Sequence, residues 1–354
     1  MKYAIIVPVY NRPDEVDELL ESLSNQTQKD FEVISVEDGS VKNCKDVCDK
    51  YADILALHYY DKENSGPGQS RNYGAERAKG DWLIILDSDV VLPEGYLAAV
   101  DDTIRGYDGT EAPPTIAFGG PDAAHPSFTP VQKAISYSMT SFFTTGGIRG
   151  GKAKLDKFYP RSFNMGIRRD VYLQLGGFSK MRFGEDIDFS YRIVEAGYQP
   201  RLFPEAWVWH KRRTDFHKFF RQVYNSGIAR INLEKRHPGT LKLVHLLPTV
   251  FTVGVILLVL AFVCGLMLSS FGSPETKSAG QLVCQLSLLP LALYALIIFI
   301  DSSIKNRSLW VGLLSVPAAF VQLMGYGFGF IESWWKRCVR KKDEFQTFEK
   351  TFYK

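Results

Sequence analysis

The sequence has few of the residues that build disulfide-rich or zinc-stabilised proteins. Its 354 residues include only five cysteines, and two of them, Cys264 and Cys284, fall in long apolar runs. Cys44 and Cys48 have helical spacing, but no second Cys or His pair completes a zinc site. None of the six histidines forms an i,i+4 pair. We therefore expect reduced cysteines and neither a disulfide scaffold nor a structural zinc.

No internal repeat or low-complexity tract is apparent in the sequence, and we expect no secretory signal at its N-terminus. Lys2 is followed by Ala4–Val7, a β-rich run that is too short for a signal-peptide core. With 45% hydrophobic and 23% charged residues the composition is that of a folded protein, which excludes collagen-like and disordered classes. No nucleic-acid-binding motif is present, so we expect no nucleic acid partner.

Charge is absent from three long stretches in the C-terminal third. No Asp, Glu, Lys or Arg occurs in the 32 residues of 243–274, the 23 of 278–300 or the 24 of 308–331. About 20 apolar residues span a bilayer. The flank at 211–242 carries nine Lys and Arg against two acidic residues, as cytoplasmic flanks do. These features predict a multi-pass protein of the cytoplasmic (inner) membrane, with its N-terminal part facing the cytoplasm.

The composition divides the chain into four regions. They are a folded domain at 1–212, a basic amphipathic segment at 213–240, a membrane region with about three hydrophobic helices at 241–335 and a basic tail at 336–354. The second region is aromatic on one side, which predicts an interfacial helix, with packing in the folded core as the alternative. The third apolar run contains Pro317, Gly325, Gly327 and Gly329, so it spans, re-enters or lies in the interface, and the side of the tail stays open.

Strand-like and helical patterns alternate through residues 1–120. Strands are predicted at 4–9, 31–37, 54–59 and 82–87, and helices at 14–25, 42–51, 69–79 and 94–105. The apolar runs are typical of strands buried on both faces, which predicts an α/β fold with a mainly parallel, Rossmann-like sheet. The irregular stretch at 121–163 is predicted to be a lid or binding segment. Further helices are expected at 170–175 and 187–196, and a strand at 201–209.

Acidic side chains stand where such a sheet binds its ligand, at the carboxyl ends of strands. The clusters are Glu37-Asp38, Asp87-Ser88-Asp89 and Glu185-Asp186. Two carboxylates one residue apart on a loop can both reach Mg²⁺ or Mn²⁺. Turn formation and helix capping are the alternative roles for Asp87 and Asp89. The presence of three acidic clusters favours the metal-binding interpretation.

Two glycine-rich segments were considered as phosphate-binding loops. In Gly66–Gly74 the glycines allow close approach of the backbone and Arg71 can oppose a phosphate, although an ordinary loop and helix cap explains them equally well. Gly146–Lys152 nearly fits a P-loop, but Ala153 stands where a metal-binding Ser or Thr is needed. We reject the P-loop interpretation and keep a flexible substrate loop as a prediction.

Five motifs in this order and spacing resemble those of family 2 glycosyltransferases. They are Val7–Arg12, Glu37–Ser40, Gly68–Gly74, Asp87–Asp89 and Gly184–Asp186. The resemblance covers about residues 1–212 and implies a GT-A fold, a UDP- or GDP-sugar donor, Mg²⁺ or Mn²⁺, and inversion at the anomeric carbon. It implies substrate contacts by Pro8, Tyr10, Glu37, Asp38, Arg71, Asp87 and Glu185, metal coordination by Asp89 and His210, and general-base catalysis by Asp186.

The membrane region and the segment before it help to predict the class of acceptor. Processive synthases of that family carry Gln-x-x-Arg-Trp on an interfacial helix, whereas this chain has Gln222-Val223-Tyr224-Asn225-Ser226, then Arg230 and no Trp. We therefore expect transfer of one sugar to a lipid-linked or polysaccharide-precursor acceptor at the membrane. The alternatives are a nucleotidyltransferase and a non-catalytic membrane scaffold with a vestigial nucleotide-sugar pocket.

Overall fold

The computed structural model describes residues 2–111, 113–146, 158–211 and 213–344. The chain forms two compact units. Unit 1 comprises Met1–Pro126 and Lys154–Lys211, and unit 2 comprises Ser127–Ala153 and Arg212–Lys354. The predicted boundary near residue 212 coincides with a unit boundary, but part of the stretch expected to be a lid belongs to unit 2. The glycine-rich segment from Gly147 onward lies outside the described residues.

The strands lie in unit 1. They are β1 (Tyr3–Val9), β2 (Phe31–Asp38), β3 (Leu57–Lys62), β4 (Trp82–Leu86), β5 (Val90–Val91), β6 (Ala117–Gly119), β7 (Asp122–Ala123), β8 (Asn164–Arg168), β9 (Arg201–Leu202) and β10 (Val208–His210). The main sheet has the order β3-β2-β1-β4-β8-β6-β9, and β5-β10-β7 form a second sheet. Strands β1 to β4 are parallel, whereas β8 is antiparallel to both β4 and β6. The predicted α/β class with a mainly parallel sheet is confirmed, because β8 is the one strand of the main sheet that runs opposite to the other six.

The helices are α1 (Pro13–Ser24), α2 (Lys45–Tyr51), α3 (Pro67–Arg77), α4 (Tyr96–Asp108), α5 (Pro130–Thr140), α6 (Phe142–Thr145), α7 (Arg169–Gln174), α8 (Glu185–Glu195), α9 (Phe216–Arg236), α10 (Leu247–Phe271), α11 (Pro274–Asn306) and α12 (Leu309–Trp334). In unit 1 they cover both faces of the sheet. Ile5 of β1 packs in the core with α1 and α4, and its neighbour Ile6 packs in the core with α3 and α8. This alternation explains why the strands are apolar throughout.

The expected strand at 201–209 is two short strands in different sheets, β9 and β10. A proline at position 204, which has no backbone donor, lies between them. The predicted irregular stretch at 121–163 contains α5, whose start is fixed by a capping box between Thr129 and Gln132. The sequence interpretation also missed β8, whose Gly166 leaves room for the ring of Phe118 at a point where a Cβ atom would lie 2.0 Å from that ring.

Unit 2 is helical. Helices α10, α11 and α12, the last with a short continuation to Val339, are long and apolar enough to cross a membrane. The rings that were expected to insert into lipid from α9 are instead partly or fully covered by protein. Phe219 is fully buried in a cluster with Ile135 and Met139 of α5. The apolar side of α9 is therefore a packing surface inside unit 2.

Gly74 holds α3 close to the sheet. A Cβ atom at this position would lie 2.8 Å from Cγ2 of Ile6 and 3.3 Å from Cγ2 of Val36. We predict that Gly74→Val destabilises unit 1 by about 1–3 kcal/mol, because the buried neighbours must shift to admit the side chain. The matched control is Gly106→Val on α4, where an added Cβ meets nothing within 4 Å. Thermal unfolding of the detergent-solubilised chain measures both; equal melting temperatures would contradict the prediction.

Candidate active site

The first part of the site lies where β1 and β2 end side by side. Pro8 of β1 pairs with Val36 of β2, and Pro8 and Tyr10 are both half-buried. Asp38 lies at the end of β2 and accepts hydrogen bonds from the backbone amides of Ser65 and Gly66, both at 2.9 Å, and from Lys62 Nζ at 2.5 Å. The Asp38 carboxylate therefore fixes the loop that leads into α3. Lys62 is a contact that the sequence interpretation missed.

Glu37, next to Asp38, stabilises the loop that follows β2. Its side chain is fully buried, one carboxylate oxygen accepts a hydrogen bond from Ser40 Oγ, and the other accepts one from the backbone amide of Cys44 at 2.8 Å. Both oxygens thus order the loop between β2 and α2. Glu37 was expected beside the nucleotide, and in the structure both of its carboxylate oxygens contact groups of the protein loop.

Arg71 joins two acidic clusters that are distant in sequence. The residue lies on α3, is 3% exposed, and donates to Asp87 Oδ1 at 2.7 Å and to Glu185 Oε1 at 2.9 Å. Burial lowers the pKa of a guanidinium, but attraction to Asp87 and then Glu185 outweighs it, so the pKa of Arg71 is raised. Arg71 was expected near a uracil or diphosphate, and here its two guanidinium ends contact carboxylates.

Asp186 follows Glu185 in the first turn of α8, which begins after Gly184 in the left-handed conformation at φ 85°. Its Oδ2 accepts a hydrogen bond from Arg161 Nε at 2.6 Å, and its Oδ1 accepts from the amide of Ile187 at 2.9 Å. Burial opposes ionisation, but attraction to Arg161 outweighs it and holds the pKa of Asp186 below its usual value. Asp186 is therefore a carboxylate that stays ionised.

The neighbouring Glu185 behaves in the opposite way. Burial raises the pKa of Glu185, attraction to Arg71 opposes that increase, and repulsion from Asp186 adds to it. Of the adjacent pair, Asp186 is therefore the more acidic. Asp188, two residues on, accepts hydrogen bonds from Ser179 and Arg192 and so supports the fold of this loop.

Asp87, Asp89 and His210 form a cluster whose potential ligand atoms all lie within 4.8 Å of one another. The second sheet explains this juxtaposition. Strand β10 pairs antiparallel with β5, so that His210 stands opposite Val90, directly after Asp89. The His210 Nε2 atom lies 3.3 Å from Asp89 Oδ1. A residue more than 100 positions away is thus placed beside the Asp-x-Asp motif by two short strands.

Two further charged residues adjoin this cluster and were missed as site residues. Arg12, in the loop after β1, donates to Asp89 Oδ2 at 2.5 Å. Asp122 of β7 lies with its Oδ2 3.8 Å from His210 Nδ1, because β7 pairs with β10. Arg12 lies in Val7–Arg12, the first of the five motifs, so the sequence contained a signal that could have identified it as a site residue. Asp122 lies in a strand of only two residues, and the sequence contained no such signal for it.

The donor set fits a divalent cation. Two carboxylates from the loop after β4 and one imidazole nitrogen from the end of β10 each offer a ligand atom, and these atoms lie within 4.8 Å of one another. Carboxylates are the ligands that Mg²⁺ and Mn²⁺ prefer, and an imidazole nitrogen is an accepted addition for the softer Mn²⁺. The existing pairing of Asp89 with Arg12 shows that this point already attracts positive charge.

Comparison with known proteins agrees with this architecture. Residues 4–173 match the model of glycosyl transferase family 2. An uncharacterized glycosyltransferase of Haemophilus influenzae is 32% identical over 194 residues, which are 54% of this chain and 62% of that protein. A pre-mycofactocin glycosyltransferase of Mycobacterium tuberculosis is 26% identical over 255 residues, 66% of this chain and 48% of that protein. The matches thus span less than two thirds of the length of either relative.

Among solved structures, a mannosyltransferase from Pyrobaculum calidifontis, determined in complex with GDP-Man and Mn²⁺, superposes with a TM-score of 0.55. The two chains are 16% identical, and the superposition covers 95% of this chain and 88% of the other, which establishes a shared fold. The chain therefore contains a domain, at residues 4–173, that matches glycosyl transferase family 2 and has the GT-A fold.

Proposed function

We propose that the chain is a metal-dependent, inverting glycosyltransferase that moves one sugar from a UDP- or GDP-sugar to a lipid-linked or polysaccharide-precursor acceptor. The observation that carries the proposal is the Arg71 bridge. It joins Asp87 of the cation cluster to Glu185, next to Asp186. A cation-binding point and an ionised carboxylate thus stand near each other, as an inverting transfer requires.

On the donor side, Asp89 and His210, with Asp87, would hold Mg²⁺ or Mn²⁺. When bound, the cation neutralises charge that develops on the departing nucleotide diphosphate. Arg12 adds a positive charge at the same point through its contact with Asp89. The loop that Asp38 fixes, together with Pro8 and Tyr10, would bind the nucleotide, and Arg71 would orient Asp87 toward it.

On the acceptor side, Asp186 would take the proton from the attacking hydroxyl group. A general base must be ionised before it can accept a proton, and Arg161 favours that state. An inverting displacement places the acceptor on the side of the sugar opposite the leaving group. The proposal assigns that side to Asp186 and the leaving group to the cation cluster, and it needs no covalent sugar–enzyme intermediate.

The acceptor class follows from the helices of unit 2. The chain places apolar helices directly after the transferase domain, which suits an acceptor that is held in the membrane. The Lys and Arg excess at 211–242 favours a cytoplasmic position for the domain. We propose the regions 1–212, 213–240, 241–335 and 336–354 as the functional divisions of the chain.

Removal of Asp89 tests the cation site. We predict that Asp89→Asn lowers Mn²⁺-stimulated transfer or hydrolysis of UDP- and GDP-sugars by about 100-fold or more, since cation stabilisation contributes several kcal/mol. Mass detection of released nucleotide diphosphate measures the rate, and Mn²⁺ titration measures binding. Asp53→Asn, at an exposed position, is the matched control. Full activity of the Asp89 variant would refute the metal assignment. Equal activity of the native chain with and without Mn²⁺ would refute it as well.

Replacement of Asp186 separates binding from chemistry. We predict that Asp186→Asn lowers transfer by about 10²–10⁴-fold, because the variant cannot accept the hydroxyl proton. Donor binding, measured by calorimetry, should stay within a few-fold of the native value. Transfer at the native rate by this variant would exclude Asp186 as the base and favour a non-catalytic role for the segment.

Arg161 provides a test by pH. Because Arg161 holds the pKa of Asp186 down, Arg161→Gln should raise that pKa. The base works only when ionised, so the acid limb of the transfer profile, where activity falls as pH decreases, should move to higher pH. Profiles of kcat against pH for the two proteins measure the shift. An unchanged acid limb would show that the rate does not depend on the ionisation of Asp186.

A further inference from the structure

Helix α9 lies along α12 in the same direction over most of its length. Close contacts join the two helices at successive positions. In order, they are Val223 with Gly325, Tyr224 with Gly329, Gly227 with Phe330, and the Ile228 carbonyl with Ser333 Oγ at 3.1 Å. At Gly329 an added Cβ would lie 2.0 Å from the Tyr224 carbonyl oxygen, so the two backbones are in close approach. Any placement of α12 in a bilayer therefore places α9 with it.

Helix α9 is too rich in charge for the hydrocarbon core. Its ionisable residues are His217, Lys218, Arg221, Arg230, Glu234, Lys235 and Arg236. Lys218 and Arg221 are exposed. Since Val223 faces Gly325, Arg221 lies beside the middle of α12. If α12 crossed the bilayer, an exposed guanidinium would stand near its centre, which is strongly unfavourable.

The path of α12 past α10 gives an independent argument. Phe320 contacts Phe251, the Leu323 carbonyl accepts from Thr252 Oγ1 at 3.4 Å, and Gly327 approaches Thr252 and Pro248. From Phe320 to Gly327, α12 advances about 10 Å. Over the same interval the α10 residues that contact α12 stay between Pro248 and Thr252. The axis of α12 therefore crosses the first turns of α10 and does not follow that helix across.

Helices α10 and α11 behave as a membrane-spanning hairpin should. They run antiparallel, with Gly265 against Gly280 at one end and Phe251 against Tyr294 toward the other. In their most apolar windows only 17% and 11% of the residues are buried in the protein, against 39% in α12. The N-terminal half of α12 is covered by α5, where Ala134 clusters with Val311 and Ala318. Its exposed large apolar side chains are Leu309, Trp310, Leu313, Phe328 and Trp334, and the exposed Trp335 follows directly after its end.

We propose that only α10 and α11 cross the bilayer, and that α12 lies with α9 in the plane of one membrane interface. In this arrangement the exposed cations of α9 contact anionic lipid headgroups and the tryptophans at the end of α12 lie at headgroup level. Two spans return the chain to its starting side. The C-terminal basic run that begins at Lys336 then shares a side with the basic flank at 211–242, as the distribution of positive charge favours.

This inference rests on the membrane attachment proposed above but not on the sugar-transfer chemistry. A spanning α12 would overturn it and leave the assignments of Asp89 and Asp186 intact. The chain offers native reporters of sidedness. Cys338 follows α12 and is exposed, and Phe271, at the turn between α10 and α11, is 90% exposed. Val41 of unit 1 is 93% exposed and reports the side of the transferase domain.

The experiment labels single thiols in the full-length chain with a membrane-impermeant maleimide. The background replaces Cys44, Cys48, Cys264 and Cys284 by Ala. One protein keeps Cys338, and the other two carry Cys338→Ser with either Phe271→Cys or Val41→Cys. Sealed right-side-out and inside-out vesicles are labelled in parallel, and detergent gives the full labelling of each protein. A cooperative thermal unfolding transition in detergent, at a melting temperature close to that of the native chain, shows that each variant is folded.

We expect Cys338 and the Val41→Cys thiol to react in the same vesicle type, and the Phe271→Cys thiol to react only in the opposite type. Labelling of Cys338 together with the Phe271→Cys thiol would mean that α12 crosses the bilayer and would overturn the proposal. Reaction of Cys338 only after detergent would place the end of α12 inside the bilayer and would overturn it as well. Because the readout compares positions within one chain, it does not depend on which side the domain occupies.

Discussion

The site depends on the compensation of negative charge by three arginines, of which Arg71 is buried and Arg12 and Arg161 are partly exposed. Asp87, Asp89, Glu185 and Asp186 come from two distant loops, and Arg71 is the cation that contacts both of them. Removing one partner of a buried ion pair leaves an uncompensated charge and typically destabilises a protein by about 3–5 kcal/mol. Arg71 therefore links the position of the Asp-x-Asp loop to that of α8. Arg12 forms an ion pair with Asp89, and Arg161 forms one with Asp186.

The acidic positions were predictable because their signal is local. A buried apolar strand followed by Asp-Ser-Asp places the carboxylates at a sheet edge without knowledge of the rest of the chain, and a glycine before Glu185 marks a helix start. Arg161 and Asp122 were not predictable in this way. They reach the site through pairings of two- or three-residue strands and an irregular loop, which are too short to produce a periodic pattern.

The absence of a periodic pattern in short strands also explains the errors in the predicted fold. The first four long strands were expected from their apolar runs, whereas β6, β8 and β9 have two to five residues, and β6 and β8 each include a glycine. Their pairing partners lie far along the chain, so direction and order are set by tertiary packing and not by local propensity. Strands β6 and β8 were consequently missed, while the strands β1 to β4, at whose carboxyl ends Pro8, Asp38 and Asp87 lie, were predicted nearly in full.

The helices of unit 2 show a different limit of sequence analysis. Hydropathy measures one segment at a time, and by that measure α12 is a third candidate span. Where a helix can lie depends also on what is packed against it. Gly325 and Gly329 allow α9 to approach so closely that the two helices must share one environment, and the charges of α9 then determine that environment for both. Gly325 and Gly329, which left the spanning assignment of this run open in the sequence, are thus the residues that bring α12 against a polar partner.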